Sequence, residues 1–561
     1  MADIAGRIQN RMHLPLAASA AVISLVIVLN DNVRRFGQFF LPGALSTLIR
    51  FVLYAVLLYA AFCFLNREAD RATDAGNVAT DRTAWLKMAG LFFAVYVVFL
   101  LIFYPGVMYW DTMRQINDFF DGYTTAPYFA VYDTEISAFL NDHDGAFDTV
   151  LFGLFISIGN LFHSPNIGMF LYCLIQAALF SLLFSRIVLE IRRAGCPKWV
   201  CFAATVFYLH PFVCFYAVMM LKDVLFALCF LPYYLVFVKQ ADGGAERKNT
   251  ILLIVLSLLC ALTKKPGVYI VALSNAVLLL FYLPGMRRKN GGPEQKSTGK
   301  PAIAGTALSV IAPVLLVLVL FPKVVFPALQ IYPGGREEAI SVCLQTTVEL
   351  IVEDEESLSA QDREVINKVM HYDKLKESYL SHTTDWAKYY FRSDATSEDL
   401  REYFRFWIRK GLRHPLRYLR TVAAVNGGFF APDKPMELYI SANAITPDDD
   451  YPGLGNLPAT LTMREDLVRL YEVLSVTPPF SFFFYNVLYT WIIPAGCAVL
   501  LLVRHKKRRL LYLVPVLLSV LVLIAGPEST TRFAVHIIFQ APYLFALPFM
   551  KRTRDAEGAA T

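Results

Sequence analysis

Three groups of ionisable residues in this chain sit where apolar runs begin or end, and each suggests a different piece of chemistry. The first is Asp111, which closes the stretch Tyr-Pro-Gly-Val-Met-Tyr-Trp-Asp from Tyr104. A carboxylate at the mouth of a membrane helix can deprotonate an acceptor hydroxyl or help hold a divalent metal. The same residue could equally serve as an N-cap for a helix over Thr112 to Phe120, and spacing leaves both roles open. The second group is Asp133, Glu135, Asp142, His143, Asp144 and Asp148, all in the loop that follows. Charge runs of this kind are commonly solvated faces. Asp142, His143 and Asp144 differ in directly preceding a short apolar segment, which would hold them near Asp111 as acceptor- or metal-supporting groups. No zinc-like ligand spacing is present, so a divalent cation (Mg or Mn) is only an open expectation here.

The third group is basic: Lys222 beside Asp223, the pair Lys264 and Lys265, and Arg532. Arg532, His536 and Gln540 fall at i, i+4 and i+8, one stripe on a helix. Snorkelling, or pairing with Asp223 or Glu528, would explain any single one of these cations. Three separate basic sites on one side of a membrane point instead to a phosphate or pyrophosphate at headgroup level.

These residues need elements to position them, and composition says which. The chain has 561 residues, 56% apolar and 17% charged, far from the soluble average. Its apolar residues come in blocks near the roughly 20 residues needed to span a bilayer. The expected architecture is an all-α polytopic membrane protein. Trp85 to Phe103 is one such block, stopped by Pro105 and Gly106. Tyr109 and Trp110 then supply rings suited to the membrane–water boundary.

Lys and Arg cluster at Arg67, Arg71 and Arg82, at Arg192 to Lys198, at Lys239 to Lys248, at Arg287 to Lys300, at Arg504 to Arg509 and at Lys551 to Arg554. Placing these inside puts Asp111, Leu209 to Asp223, Thr263 to Gly267, Gly526 to Arg532 and Pro322 to Phe480 outside. The net charge of +6 is accounted for by these loops and implies no nucleic-acid partner. Two apolar runs, Val150 to Phe162 and Ile167 to Ile191, lie between Asp111 and Arg192 where parity allows one crossing. The shorter run is therefore read as an interfacial or re-entrant helix, leaving about twelve spans.

The division that follows is a transmembrane bundle over 1–321 with a catalytic outer loop 105–148, an extracytoplasmic and mainly helical domain over 322–480, and C-terminal spans with a cytoplasmic tail over 481–561. Ser359 with Asp362 and Thr396 with Asp399 are helix-start signals within the outer segment. The second of these helices should end between Gly411 and Pro415, and Asp433 to Gly455 reads as loop. Most of the nine cysteines lie in apolar runs, so no disulfide framework is implied. Leu14 to Leu29 has no convincing cleavage site and reads as a retained first span.

Taken together, the Tyr104 to Asp111 motif, Asp142-His143-Asp144-Gly145 before a short helix, Lys222-Asp223 opening a span and Arg532-Phe533 at the last span resemble the GT-C class of membrane glycosyltransferases. The likeness is closest to bacterial multi-pass relatives of that class and covers Trp85 to Leu283 best. It implies a GT-C type of bundle and a polyprenyl-phosphate sugar donor. It also implies an extracytoplasmic acidic residue at Asp111, as general base or acceptor-positioning group, and donor-phosphate contacts from Lys222, Lys264, Lys265, Arg532 and His536. One departure is that Tyr109 stands where an Asp-x-Asp metal pair would place its first carboxylate.

The expectation is thus an integral plasma-membrane glycosyltransferase, with its active site extracytoplasmic, moving a sugar to a cell-envelope glycan, lipid or protein acceptor. The rival is a transporter or lipid flippase for an anionic or glycolipid substrate, which would more often carry internal repeats and broken midplane helices. A non-catalytic scaffold displaying the outer domain is the third reading, and it leaves the outer-side charges unexplained.

Overall fold

In a bilayer every backbone N–H and C=O must be satisfied within the chain, so long apolar runs become helices. The computed structural model describes residues 2–40, 45–70, 82–124, 136–243, 246–287, 300–377, 379–433, 435–438, 445 and 451–551. Arg71, Asp133, Glu135, most of the basic loop 287–300, parts of 433–455 and the tail beyond Lys551 lie outside the described residues.

The N-terminal bundle contains α1 (Ala2–Phe36), α2 (Leu45–Asp70) and α3 (Arg82–Ile102). After strand β1 (Val107–Met108) come α4 (Trp110–Asp121), β2 (Tyr123–Thr124), β3 (Ser137–Ala138), β4 (Leu140–Asn141), α5 (Ala146–Leu161) and α6 (Pro165–Arg193). Next are α7 (Lys198–Tyr208), α8 (Pro211–Ala217), β5 (Met219–Met220), α9 (Lys222–Ala241), α10 (Arg247–Thr263), α11 (Gly267–Arg287) and α12 (Lys300–Leu315). A π-helical stretch, Leu316–Val325, carries the last of these through Pro322 into α13 (Phe326–Leu329). Proline has no N–H to give the ladder, and a locally widened turn absorbs the loss.

Strand β6 (Ile331–Tyr332) leads into α14 (Ser341–Asp354), α15 (Ala360–Asn367), α16 (Asp385–Tyr389), α17 (Ser397–Arg413) and α18 (Pro415–Asn426). After α19 (Leu461–Val476) the chain finishes with α20 (Ile493–Val503), α21 (Val514–Ile524) and α22 (Val535–Ala546).

Among the described residues, six helices are long and apolar enough to cross a membrane: His13–Phe36, Leu45–Asp70, Arg82–Ile102, Pro165–Arg193, Lys222–Ala241 and Ala302–Leu329. The pair α7 and α8, bent by 52°, makes a seventh if it is one span. Ala146–Leu161, Gly267–Tyr282 and Leu488–Val503 are apolar but shorter. The chain is a helical membrane protein.

The short helix α5 folds back along α6, and the two backbones touch where Gly159 meets Gly168. Side chains larger than hydrogen would hold the helices apart at that point. The far end of α5 reaches the loop before α19, where Asn160 Nδ2 donates to the Tyr451 hydroxyl at 2.9 Å.

Residues from α14 to α17 build a core of their own, with Leu344, Val348, Ile351, Met370, Tyr403 and Phe406 buried together. Both start signals read from the sequence are complete capping boxes: Ser359 with Asp362, and Thr396 with Asp399. Helix α17 ends at Arg413, just ahead of Pro415. This unit is tied to the bundle at one end. Arg34 donates to Asp433 at 2.9 Å and to the Ala424 carbonyl at 2.6 Å. Asn426 donates to the carbonyls of Ile524 and Gly526 at 2.9 and 3.1 Å.

Candidate functional site

The site is assembled by a two-residue parallel ladder. Pro105 and Gly106 release the chain from α3, and Val107 and Met108 pair with Met219 and Met220. The Val107 N–H donates to the Val218 carbonyl at 3.1 Å, and the Thr112 hydroxyl donates to the Met220 carbonyl at 2.7 Å. Gln176, buried on α6, holds the second strand by donating to the Ala217 and Met219 carbonyls at 3.1 and 2.9 Å. Asp111, just past β1, and Lys222, just past β5, are thereby brought side by side.

Asp111 is not an N-cap. The cap of α4 is Tyr109, with no side-chain cap hydrogen bond, and Asp111 lies in the first helical turn. Its side chain turns away from its own backbone because stronger partners face it. Asp111 Oδ2 is 2.9 Å from Lys222 Nζ and 2.6 Å from an Arg532 guanidinium nitrogen. Arg114, one turn on, lies 3.6 Å from Asp111 Oδ1 and donates through Nε to Asp144 Oδ2 at 2.7 Å. Lys222 bridges to the same second carboxylate, Asp144 Oδ1, at 2.6 Å. Asp111 is 8% exposed and Asp144 3%, so the cluster is shielded. Three cations face two carboxylates, a formal excess of one positive charge. The Arg532 guanidinium also lies over the Tyr109 ring, 4.3 Å from its centre.

Burial pushes the Asp111 carboxyl up, but Lys222, Arg532 and Arg114 outweigh it and hold the group well below the usual carboxylate range. Asp144 is likewise held low, burial being overcome by Lys222 and Arg114 against the opposing charge of Asp111. Both are therefore anions at neutral pH. Asp118, two turns beyond Asp111 on α4, behaves oppositely. Burial, and then the nearby Asp144 charge, push it up to about 7 although Arg114 pulls it down.

The chain belongs to a family of unknown function, DUF6020. The match runs over residues 18–561, across the bundle and the α14–α18 unit alike, so every site residue lies within it. No curated protein and no solved structure matches the chain.

Of the remaining residues singled out in the sequence, Lys264, Lys265 and His143 lie beside this centre and others lie in the interior. Lys264 pairs with Asp223, the neighbour of Lys222. It also lies 5.4 Å from the centre of the Phe533 ring, whose other neighbour is Arg532 at 4.8 Å. Lys265 is further out, 2.9 Å from Asp142 Oδ2 and donating to the Pro333 carbonyl at 2.9 Å. His143 lies between two carboxylates without bonding to either: Nε2 is 4.0 Å from Asp144 and Nδ1 is 3.8 Å from Glu338. Burial lowers its pKa more than Asp144 and Glu338 raise it, which favours the neutral ring. Arg532 lies in a 3-10 turn, Thr531–Ala534, that precedes α22, so the single α-helical stripe expected for Arg532, His536 and Gln540 is broken, and the latter two are buried in the interior. The His536 ring sits edge-on to Phe226 and Phe230, 4.9 and 5.0 Å between centres. His536 Nε2 and both amide atoms of Gln540 are buried with no hydrogen-bond partner. Asp148 is fully buried with both carboxyl oxygens unpartnered.

Three participants were not singled out in the sequence. Arg114 carried a signal, since i+3 from Asp111 is one helical turn. Asp118 is one further turn along the same helix. Glu338 carried none: it comes from beyond β6, which pairs with β4 beside the acidic loop, and Lys388 Nζ donates to it at 2.9 Å. Among the described residues no three His, Cys, Asp or Glu side chains form a metal-holding set. The arrangement does not fit a divalent cation, because Lys222, Arg114 and Arg532 already take both oxygens of Asp144 and Oδ2 of Asp111.

Proposed function

We propose that this protein is an integral membrane glycosyltransferase of GT-C type, working on the outer face of the plasma membrane. It moves a sugar from a polyprenyl-phosphate donor to a cell-envelope glycan, lipid or protein acceptor. The observation that carries this reading is the sharing of Asp111 Oδ2 between Lys222 and Arg532, in a buried cluster with one surplus positive charge. A phosphodiester donor brings one negative charge and would balance that surplus. As it binds, its phosphate oxygens compete with Asp111 for Lys222 and Arg532, and losing those partners raises the basicity of Asp111.

Asp111 then takes the proton of the acceptor hydroxyl, and the acceptor oxygen bonds to the anomeric carbon. The bond from that carbon to the phosphate oxygen breaks, leaving polyprenyl phosphate with a second negative charge. Lys222 and Arg532 face that growing charge in a shielded setting, where fixed cations act most strongly. Arg114 and Asp144 position Lys222 and Asp111. Lys264, paired with Asp223 behind Phe533, supports the far side of the cluster. The proposed topology places the loop 105–148 and the segment 322–480 outside, within about twelve crossings.

The experiment is direct. Purified protein in lipid nanodiscs is given a panel of radiolabelled polyprenyl-phosphate sugars, and water- or acceptor-dependent sugar release is measured. Release that disappears in Asp111→Asn supports the proposal; intact donor across the panel overturns it. One observation favours the flippase reading: the unpartnered polar atoms of His536 and Gln540 deep between α9 and α22. Proteoliposomes in which donor changes leaflet without losing its sugar would establish that alternative.

A further inference from the structure

Helix α17 carries a second charged feature that the site does not use. Arg401, Arg405, Arg409 and Arg413 recur every four residues and are all exposed. At about 100° per residue they occupy an arc of about 120° along a stripe about 18 Å long. Arg409 is paired with Asp362, whereas Arg405 and Arg413 make no ion pair among the described residues. Beside the arginines lie Ile408 and Leu412, 53% and 79% exposed, and with Arg405, Arg409 and Arg413 they line a shallow groove. The opposite face, Tyr403, Phe406 and Lys410, is buried in the outer core. An exposed face combining a basic stripe with large aliphatic side chains is the pattern of a helix lying in a membrane interface.

The placement of α18 fits this. Leu416 and Leu419, 66% and 58% exposed, extend the apolar edge past the turn at Pro415. Four residues beyond Leu419, Ala423 packs with Ala424 against Val33, in the last turn of the first span. At 1.5 Å per residue, Leu419 lies about 6 Å from that contact along the helix and Leu416 about 10.5 Å from it, so the apolar edge starts at Leu419. The span's own end exposes Phe36 and Phe40. The headgroup layer on each side of a bilayer is about 5–8 Å deep. The face therefore begins at headgroup level, at the end of the bundle that carries Asn426 and its contacts to Gly526.

We propose that the Arg401–Arg413 stripe with Leu412 and Leu416 docks the outer unit onto anionic phospholipid headgroups of the bilayer that the chain itself spans. Guanidinium groups match lipid phosphates, and the leucines enter the acyl boundary beside them. Because Glu338 and Lys388 belong to this same unit, docking would fix their side of the Asp111 cluster.

The test uses the full chain in nanodiscs of phosphatidylcholine alone or with phosphatidylglycerol. A Leu412→Cys variant, in a background lacking the four half-buried cysteines, carries an environment-sensitive dye. Lipid-borne nitroxides should quench this dye in phosphatidylglycerol discs, and aqueous iodide should not. Each surface arginine is worth about fivefold in partition onto an anionic surface, so Arg405→Gln with Arg413→Gln should lower the docked-to-free ratio by about thirtyfold. Arg405→Lys with Arg413→Lys should retain most of it, which separates docking from a folding defect. Equal access to iodide in both lipid compositions overturns the proposal. So does disulfide cross-linking of two copies through position 412, which would assign the face to a second chain instead.

Discussion

Arg532 and Lys222 reach the same oxygen of Asp111, yet their substitutions should have different consequences. Arg532 both pairs with Asp111 and stacks over Tyr109, and lysine keeps its charge but not the planar contact. Arg532→Lys should raise the donor KM by one to two decades with a smaller change in kcat, matching the roughly 1.5–3 kcal/mol of a charge-assisted hydrogen bond. Asp111→Asn should act mainly on kcat and leave donor binding near its normal value. Equilibrium donor binding by both variants decides the matter; loss of binding in Asp111→Asn with none in Arg532→Lys reverses the assigned roles.

A second residue-scale expectation concerns Asp118, whose carboxyl is raised from 3.8 to about 7. The folded state holds that proton more tightly than the unfolded chain. Its contribution to stability is therefore complete below about pH 4 and is lost as pH rises through about 7. His143 works in the opposite sense, because burial lowers it and its contribution fades as pH falls. Subtracting the melting curves of Asp118→Asn from those of the natural protein, between pH 5 and 8, isolates the aspartate. The natural protein should lose stability relative to the variant as pH rises; parallel curves would show that the Asp118 carboxyl is not perturbed.

At the scale of elements, two close backbone approaches set the geometry. The first is the crossing of α5 and α6. A methyl group on Gly168 would strike the Phe155 carbonyl, a backbone atom that cannot turn aside. Gly168→Ala should therefore destabilise the protein by about 1–3 kcal/mol, as overpacking commonly does. It should also reduce activity by displacing the acidic loop at the start of α5. Thermal unfolding with and without donor would show whether the loss is structural alone. The second approach is the β1–β5 ladder, held from α6 by Gln176. Gln176→Met keeps the volume but strips two buried carbonyls of their donor, at about 1–3 kcal/mol each. Activity should fall further than in a surface control of equal stability, since the strand carries Lys222.

For the molecule as a whole, the proposed topology makes one joint prediction. A cysteine replacing the exposed Glu356 and a reporter fused after His163 should report the same, external, side. The charge distribution motivates the first and the parity conflict between Asp111 and Arg192 the second. The contact of Asn160 with Tyr451 already joins the end of α5 to the loop before α19. A cytoplasmic signal after His163 would make α5 a full crossing and invert the expected side of every later loop.

The sequence by itself determined the helical membrane class, because a bilayer leaves apolar runs of this length no other way to satisfy their backbones. It also determined the local punctuation: the stop at Pro105 and Gly106, both capping boxes and the end of α17 before Pro415 rest on contacts within a few residues. The catalytic candidates were legible as residue types at helix ends, and Asp111, Lys222 and Arg532 do meet. Their partnerships were not legible. Lys264 and Lys265 look equivalent in sequence, yet one turns to Asp223 and the other to Asp142. His536 lies one turn from Arg532 and still faces Phe226 and Phe230 in the interior. Asp111 proved to be an ion-pair partner instead of a cap, because Arg532 arrives from 421 residues away. Pairings of that kind depend on which helix ends converge, and only the tertiary structure decides that, since neighbours in space need leave no periodic trace along the chain.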